Sequence, residues 1–269
     1  MVNNAVNGQP TIGIIGGAGW LGQAFAGAIV DAGISTVDTL TLSYRSSRPE
    51  FLPQARWTRD NQQLADCSDI IIVSVRPEDF PTITISTTGK LVISVMAGVT
   101  LDRLAARFQT DRVVRALPNG AAEVRKSYTP WIATQGTSTA DRAVVQALLA
   151  ACGSADEVSN EADIDYFTGL TGSGPAFPAL LAAAMMKDAI SHGISPDIAR
   201  RSVNAVLVGT GRLLERRDDC PDAVVQTFMD YRGTTAEALA TMRAAGFDTA
   251  VRDGLEAAYR KSVSMGQSA

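Results

Sequence analysis

Short apolar runs alternate with segments of helical periodicity over the first part of the chain. The runs are rich in β-branched residues and are bounded by polar or turn residues, as is typical of strands buried on both faces; they span residues 11–15, 37–43, 69–75, 90–96 and 112–117. Helical patches such as 21–32 and 101–108 lie between them. Strands that alternate with helices predict a doubly wound parallel sheet with right-handed crossovers.

The pattern changes near residue 163, beyond which no β-rich run occurs. The remaining periodicity predicts helices over 175–192, from 196 to about 215, over 234–245 and over 249–265. We therefore predict a disordered tail over 1–10, an α/β domain over 11–162 and an all-helical domain over 163–269.

The predicted helix over 175–192 is apolar around almost its whole circumference. Such a helix must be buried on all sides, which indicates that a partner subunit covers it. Gly209 and Gly211, inside the next predicted helix, would then permit close backbone approach across the interface. A tightly packed monomeric bundle is the alternative.

Composition narrows the function classes. The 269 residues carry a formal net charge of −4, so no overall basic field attracts nucleic acid or an anionic membrane. A single histidine, His192, argues against histidine triads and multi-histidine metal sites, and we expect no bound metal. Cys67, Cys152 and Cys220 form no CxxC pair, which argues against zinc and a disulfide framework. Residues 1–10 lack a signal-peptide pattern and no apolar run is long enough to span a membrane, so we expect a cytoplasmic protein.

A glycine motif follows the first predicted strand and opens the first helix. Gly17, Gly19 and Gly22 form GxGxxG around Trp20 and Leu21. In the nucleotide-binding interpretation, Gly17 permits the tight turn, Gly19 admits a pyrophosphate, and Gly22 lets helix and strand pack closely. The helix N-terminus then offers N–H donors to the phosphates, which predicts a Rossmann-type domain. A glycine-rich structural turn is the alternative.

The end of the second predicted strand indicates which dinucleotide binds. A site selective for NAD usually has Asp or Glu there to hold the ribose hydroxyls. This chain reads SYRSSR over 43–48, with no carboxylate before Glu50. Tyr44, Arg45 and Ser46 would instead receive a 2′-phosphate, which favours NADPH over NADH. Alternatively, Arg45 and Arg48 are solvated loop charges.

Two further segments follow predicted strands directly. Val75, Arg76 and Pro77 lie at the end of the third predicted strand, and Ala97 with Gly98 come after the fourth. Ligands of open α/β sheets bind outside the carboxyl ends of the strands, so these segments are candidate cofactor contacts. Each is alternatively a loop that opens the next helix.

Three later motifs complete a distinctive order: RALPN at 115–119, TGLTGSGPA at 168–176 and GTT at 233–235. With the preceding motifs, they make the chain resemble pyrroline-5-carboxylate reductases from residue 11 to about 265. The resemblance implies reduction of the cyclic imine 1-pyrroline-5-carboxylate to L-proline with NAD(P)H, a step of proline biosynthesis. It also implies that the helical domain forms an intertwined homodimer or larger assembly with active sites between subunits.

Carried over by position, the resemblance implies roles for individual residues. Gly233, Thr234 and Thr235 would present backbone N–H groups to the substrate carboxylate, and the Thr235 hydroxyl would lie near the ring nitrogen, with Thr234 beside it at the reacting centre. Asn119 and Ala97 would approach the nicotinamide. The residues agree independently, because Thr234 and Glu237 have the spacing of a capping box that opens a helix.

The chain also departs from the family pattern. Asp230, Tyr231 and Arg232 precede Gly233 where the family usually has Ser-Pro-Gly, so Asp230 becomes a candidate substrate contact. Residues 123–128 replace small residues, and Gly16 adds a glycine to the phosphate loop. A different imine substrate and a catalytically silent NADPH-binding regulator therefore remain alternatives. A 3-hydroxyacid dehydrogenase is disfavoured, since its catalytic Lys and Asn positions hold Pro178 and Ala182.

Overall fold

A computed structural model describes residues 9–216 and 220–268. Most of the predicted disordered tail, residues 1–8, lies outside the described residues. Gln9 already belongs to the described structure, where its side-chain amide donates to the Gly33 carbonyl over 3.4 Å.

One eight-stranded sheet organises the first part of the chain, in the order β3-β2-β1-β4-β5-β6-β7-β8. The chain moves outward from β1 in one direction to β3 and then restarts at β4 on the other side of β1, which is the arrangement of doubly wound folds. The strands are β1 Ile12–Ile15, β2 Leu40–Ser43, β3 Arg56–Thr58, β4 Ile70–Val73, β5 Leu91–Ser94, β6 Val113–Ala116, β7 Ser127–Ala133 and β8 Gly153–Glu157.

The predicted parallel sheet is confirmed except at one strand. β7 runs antiparallel to β6, whereas all other neighbours are parallel. The connection from β6 to β7 contains only a 3₁₀ turn, Gly120–Val124, and no crossover helix that could bring the chain back for parallel pairing. The second predicted strand is also shorter than expected, because Val37–Thr39 forms a 3₁₀ turn before β2.

Both faces of the sheet are covered, as the uninterrupted apolar runs predict. In β4, Ile70 and Ile72 belong to the core on one face, and Ile71 and Val73 belong to the core on the other. The covering helices are α1 Trp20–Asp31, α2 Asn61–Asp66, α3 Leu101–Phe108, α4 Thr139–Ala150 and α5 Glu161–Phe167. A 3₁₀ turn, Pro77–Thr82, follows β4, and a π-helical turn, Thr168–Gly172, follows α5.

The chain divides into two compact units. Unit 1 runs to Ser173 and takes the chain up again from Ala257, and unit 2 is Gly174–Glu256. The division lies beyond residue 162, where the sequence pattern placed the domain boundary. Buried Arg115 of β6 explains the difference, because its guanidinium pairs with Glu161 at 2.9 Å and Asp165 at 2.7 Å and so ties α5 to the sheet. Ser262 donates to the same Asp165 carboxylate over 3.1 Å.

Unit 2 is helical throughout its described residues, as predicted. α6 packs on α7 and α8 packs on α9. No side chain of α6, α8 or α9 is buried in the single chain. The helices are α6 Ala176–Ser191, α7 Pro196–Arg216, α8 Pro221–Asp230, α9 Thr234–Ala244 and α10 Phe247–Ser268, the last of which continues into unit 1.

Two further observations concern membrane-spanning helices and metal sites. No helix in 9–216 or 220–268 combines the length and apolar character that crossing a membrane requires. In the same residues, no three His, Cys, Asp or Glu side chains are grouped in a way that could hold a metal ion. Cys67, Cys152 and Cys220 are free thiols, of which Cys152 is buried and Cys220 exposed.

Candidate functional site

The turn between β1 and α1 is the first part of the candidate site. Gly16 has a φ of +80°, and a Cβ there would lie 2.1 Å from the Ser74 carbonyl oxygen. The turn is closed by two hydrogen bonds, from Gly17 N–H to the Ile14 carbonyl at 3.2 Å and from Gly19 N–H to the Gly16 carbonyl at 2.9 Å. Gly17 lies within this turn, but the left-handed conformation that glycine allows belongs to Gly16.

Gly22 has the close packing that was predicted for it. A Cβ on Gly22 would lie 2.4 Å from the Gly16 carbonyl oxygen, so α1 packs directly on the turn. A Cβ on Gly17 would lie 2.9 Å from the Leu42 Cβ of β2. Gly19 is the exposed N-cap of α1 and has no side-chain cap among the described residues. Trp20 and Leu21, the first helical residues, follow it, so this helix end has the backbone donors that bind anions.

A cleft of about 500 Å³ opens beside this turn at the carboxyl ends of the strands. It lies at the point where the strand order reverses around β1, which is where open α/β sheets bind ligands. Six predicted cofactor contacts line it together: Gly19, Tyr44, Arg45, Ser46, Val75 and Arg76. Pro77 begins the adjoining 3₁₀ turn and does not line the cleft.

Ser43 fixes the glycine turn to the end of β2. Its hydroxyl accepts a hydrogen bond from Gly16 N–H at 3.0 Å, and its carbonyl accepts one from Ala18 N–H at 3.1 Å. The turn is thus held by the strand that carries the candidate ribose contacts.

The arginines near the cleft differ in their partners. Arg45 pairs with Asp79 at 3.1 Å and is 83% exposed. Arg48 does not line the cleft, because its Nη2 donates to the Pro53 carbonyl at 2.6 Å and its guanidinium lies over the Trp57 ring. The structure therefore supports Arg45 as a cleft residue and places Arg48 outside it.

Arg59 is a cleft residue that sequence reasoning missed. Its Nη2 donates to the Ser46 carbonyl at 2.8 Å, and its Cζ lies 5.2 Å from the centre of the Tyr44 ring. Arg59 follows β3, a three-residue edge strand whose sequence, RWT, has no extended apolar pattern. Asp79 was also missed, since only the fold brings the turn after β4 to the end of β2.

The candidates for the nicotinamide end have structural partners of their own. Gly98 has a φ of +73°, and a Cβ there would lie 3.1 Å from the Met265 Cβ of α10. The close approach at Gly98 is thus made by a helix of unit 1. Ala97, beside it, is half-buried, and neither residue lines the cleft.

Asn119 acts locally as a cap. Its Oδ1 accepts from Ala121 N–H at 2.9 Å, and its Nδ2 donates to the Thr171 carbonyl at 3.0 Å. The side chain therefore fixes the 3₁₀ turn after β6 against the π-helical turn. Since an amide nitrogen carries two hydrogens, one donor remains for a ligand.

The substrate candidates lie in unit 2 at the start of α9. Gly233 is the N-cap, and Thr234 and Thr235 are the first two helical residues, all exposed in the single chain. The capping box is wrong, because the cap is Gly233 and no side chain caps it among the described residues. The expected opening of a helix with unpaired donors holds, since the Gly233 carbonyl already accepts from Glu237 N–H at 3.3 Å.

The loop before α9 carries the departures from the family pattern. Asp230 ends α8 and accepts a hydrogen bond from Gln226 Nε2 at 2.8 Å. Tyr231 is exposed, and Arg232 adopts a left-handed φ of 48°. A non-glycine residue in that region is uncommon, so the loop presents its tyrosine and arginine from an unusual backbone turn.

Family models match segments of both the sheet unit and the helical unit. The model described as "NADP oxidoreductase coenzyme F420-dependent" matches residues 11–98, and the model described as "Pyrroline-5-carboxylate reductase dimerisation" matches residues 161–265. The pyrroline-5-carboxylate reductase of Thermus thermophilus is 32% identical over 201 residues, which cover 74% of this chain and 76% of that protein. The chain belongs to the pyrroline-5-carboxylate reductase family.

Other members of the family match the chain over almost its full length. The pyrroline-5-carboxylate reductase of Synechocystis is 28% identical over 95% of this chain and 98% of its own. The crystal structure of 1-pyrroline-5-carboxylate reductase from Streptococcus pyogenes superposes with a TM-score of 0.79 at 27% identity, over 94% of this chain and 98% of that one. The family resemblance therefore extends across both units.

Proposed function

We propose that the chain is an NADPH-dependent reductase that converts 1-pyrroline-5-carboxylate to L-proline, in proline biosynthesis. One observation carries the proposal: pyrroline-5-carboxylate reductases match both the unit with the dinucleotide cleft and the helical unit, over nearly their own full length. A match confined to the sheet would support only nucleotide binding, since that architecture hosts many chemistries.

The cleft fits a phosphorylated dinucleotide. A Cβ at Gly22 or Gly16 would collide with backbone, so the turn leaves the α1 N-terminus bare for the pyrophosphate. Bound NADPH would supply the hydride. Gly17, Gly19, Trp20, Leu21 and Gly22 would hold the phosphates; Tyr44, Arg45 and Ser46 the 2′-phosphate end; and Val75, Arg76, Pro77, Ala97, Gly98 and Asn119 the remainder.

The start of α9 provides the groups that imine reduction needs. A protonated C=N is already electrophilic, so the protein has to orient the ring, place a proton near nitrogen and exclude water. We assign the substrate carboxylate to the N–H groups of Gly233, Thr234 and Thr235. Asn119 and Asp230 would contact other parts of the substrate. The Thr235 hydroxyl, with Thr234 beside it, would hold the proton at the ring nitrogen.

The helical unit carries the assembly. The dimerisation model matches 161–265, which supports a homo-oligomer, and we propose a homodimer built through unit 2. The nearly all-apolar α6 has no buried residue in the single chain, as a helix awaiting a partner would. A Cβ at Gly209 or Gly211 would meet nothing within 4 Å, so there is room at these glycines for a partner's backbone. The free thiols agree with the cytoplasm, where we place the protein.

A different imine is the second candidate. Asp230, Tyr231 and Arg232 put a carboxylate, a phenol and a guanidinium beside the proposed carboxylate site. Initial rates of NADPH oxidation with 1-pyrroline-5-carboxylate and a panel of more polar cyclic imines separate the candidates. We expect the highest kcat/KM with 1-pyrroline-5-carboxylate. Preference for another imine would reassign the substrate, and NADPH binding without oxidation by any of them would indicate a regulator.

Thr235→Ala tests the assignment of the reacting centre. Loss of a group that positions a proton at the reacting centre costs about 100-fold in kcat, and NADPH affinity should be unchanged because Thr235 does not line the dinucleotide cleft. Steady-state rates and NADPH titration check this. Thr241→Ala, on the same helix, is the matched control and should have wild-type rates. A wild-type kcat in Thr235→Ala would remove this residue from the site.

A further inference from the structure

The ends of β2 and β3 are locked side by side. The two strands are parallel with Ser43 opposite Thr58, and Tyr44 N–H donates to the Thr58 carbonyl at 3.1 Å. Tyr44 and Arg59, the next residues of each strand, therefore leave the sheet at the same level of its carboxyl edge. Their juxtaposition is set by backbone pairing, so it does not depend on flexible side chains.

The Arg59 guanidinium is oriented at this edge by two contacts. Nη2 donates to the Ser46 carbonyl at 2.8 Å, and Cζ lies 5.2 Å from the Tyr44 ring centre, within the range of a cation–π interaction. Of its five N–H donors, this hydrogen bond uses one. No carboxylate of residues 9–216 or 220–268 forms an ion pair with it, so a phosphate in the cleft would not have to displace a carboxylate partner from it.

The two neighbouring arginines are less suited to an anion. Arg45 already has a carboxylate partner, since Asp79 lies 3.1 Å away, and a phosphate would have to compete with it. Arg48 is turned away from the cleft to the Pro53 carbonyl. Of these three cations, Arg59 alone combines a cleft position with a free charge and a fixed orientation.

We propose that Arg59 is the main residue by which this protein distinguishes NADPH from NADH, binding the 2′-phosphate of the adenosine end. Tyr44 and Ser46 position its guanidinium, and Arg45 contributes less because of Asp79. The inference rests on the proposed coenzyme, NADPH, and names the residue that recognises its 2′-phosphate. It does not depend on which imine is reduced.

Binding of coenzymes and fragments tests the proposal without turnover. Isothermal titration calorimetry of the full chain measures the affinities for NADPH, NADH, 2′,5′-ADP and 5′-AMP. The wild type is compared with Arg59→Ala, Arg59→Lys, Arg45→Ala and the matched control Arg48→Ala. Arg59→Ala should weaken NADPH and 2′,5′-ADP about 30-fold, as loss of a charge-assisted hydrogen bond does, and leave NADH and 5′-AMP unchanged. Arg59→Lys should recover part of the affinity, because it keeps the charge and loses the planar fork.

Arg48→Ala should bind all four ligands like the wild type, and Arg45→Ala should lose less NADPH affinity than Arg59→Ala. Equal weakening of NADPH and NADH by Arg59→Ala, or no weakening of either, would overturn the proposal, as would wild-type protein that does not prefer 2′,5′-ADP to 5′-AMP. If Arg59→Ala fails to fold in a thermal melt, Arg59→Lys and the salt dependence of wild-type 2′,5′-ADP binding decide. Selective binding through Arg59 without imine reduction would refute the proposed reaction alone.

Discussion

α1 in unit 1 and α6 in unit 2 are both apolar helices, yet they differ completely in burial. α1 buries half of its twelve residues against the sheet, whereas the sixteen residues of α6 include none that is buried. Leu180 of α6 is 73% exposed. Apolar composition alone therefore does not build a core: unit 1 covers its own apolar surface, and unit 2 leaves α6 exposed, where we propose that a second copy of the chain packs.

The largest expected effect is on assembly through unit 2. Leu180→Asp would place an unpaired carboxylate in the proposed dimer interface, at a cost of about 4 kcal/mol, which raises the dissociation constant about 1,000-fold. Light scattering across a concentration series measures it. The control is Val124→Asp, because Val124 is a 67% exposed apolar residue of unit 1 that should leave the mass unchanged. A wild-type mass for Leu180→Asp would show that α6 is not at the interface.

The next largest effect is a difference between a buried and an exposed ion pair in what each contributes to the free energy of unfolding. Arg115→Met should destabilise the protein by about 3 kcal/mol, since it leaves the Glu161 and Asp165 carboxylates unpaired around a 1% exposed site. Arg212→Met in unit 2 removes an exposed pair with Glu215 and should cost at most about 0.5 kcal/mol. Urea unfolding measures both, and equal costs would mean that the buried Arg115 cluster contributes no more to stability than an exposed ion pair.

The smallest effect is a pH dependence. Burial raises the pKa of the Cys152 thiol from 9.0 to about 11. The folded state therefore holds the proton more tightly than the unfolded chain, so its stabilising contribution is complete below pH 9 and is lost as the pH rises through 11. Between pH 8 and pH 10 the wild type should lose about 1 kcal/mol more than Cys152→Ala. Urea unfolding of both proteins at each pH checks this, and equal pH slopes for the two proteins would contradict it.

Strong periodicity made most of unit 1 predictable. The buried strands β1, β4 and β5 are continuous apolar runs, and each lies within its predicted range. β3, β7 and β8 were not predicted. β7 contains polar residues and Pro130, and β3 and β8 are edge strands with few inward residues; in β8 only Ala155 is buried. Short edge strands obtain their conformation from pairing with a neighbour, and that information is not local in the sequence.

The candidate site divides in the same way. The glycine motif after β1 is local, so its position was predictable, although the left-handed residue turned out to be Gly16. Arg59 and Asp79 belong to the cleft only because β3 and β4 end beside β2 and β1. The cap at Gly233 was mistaken for a threonine cap because the Thr234 spacing fits a capping box equally well.

The residues proposed to bind the ribose end lie on two short segments that follow β2 and β3, outside the two cores of the sheet. The turn proposed to bind the pyrophosphate instead contains glycines packed against backbone, since a Cβ at Gly16 or Gly22 would collide with a carbonyl oxygen. The preference between NADPH and NADH can therefore change in evolution by substitution of a few solvent-facing side chains, at little cost in folding free energy. The glycine turn does not tolerate such substitutions, so descendants with a different coenzyme preference would retain it.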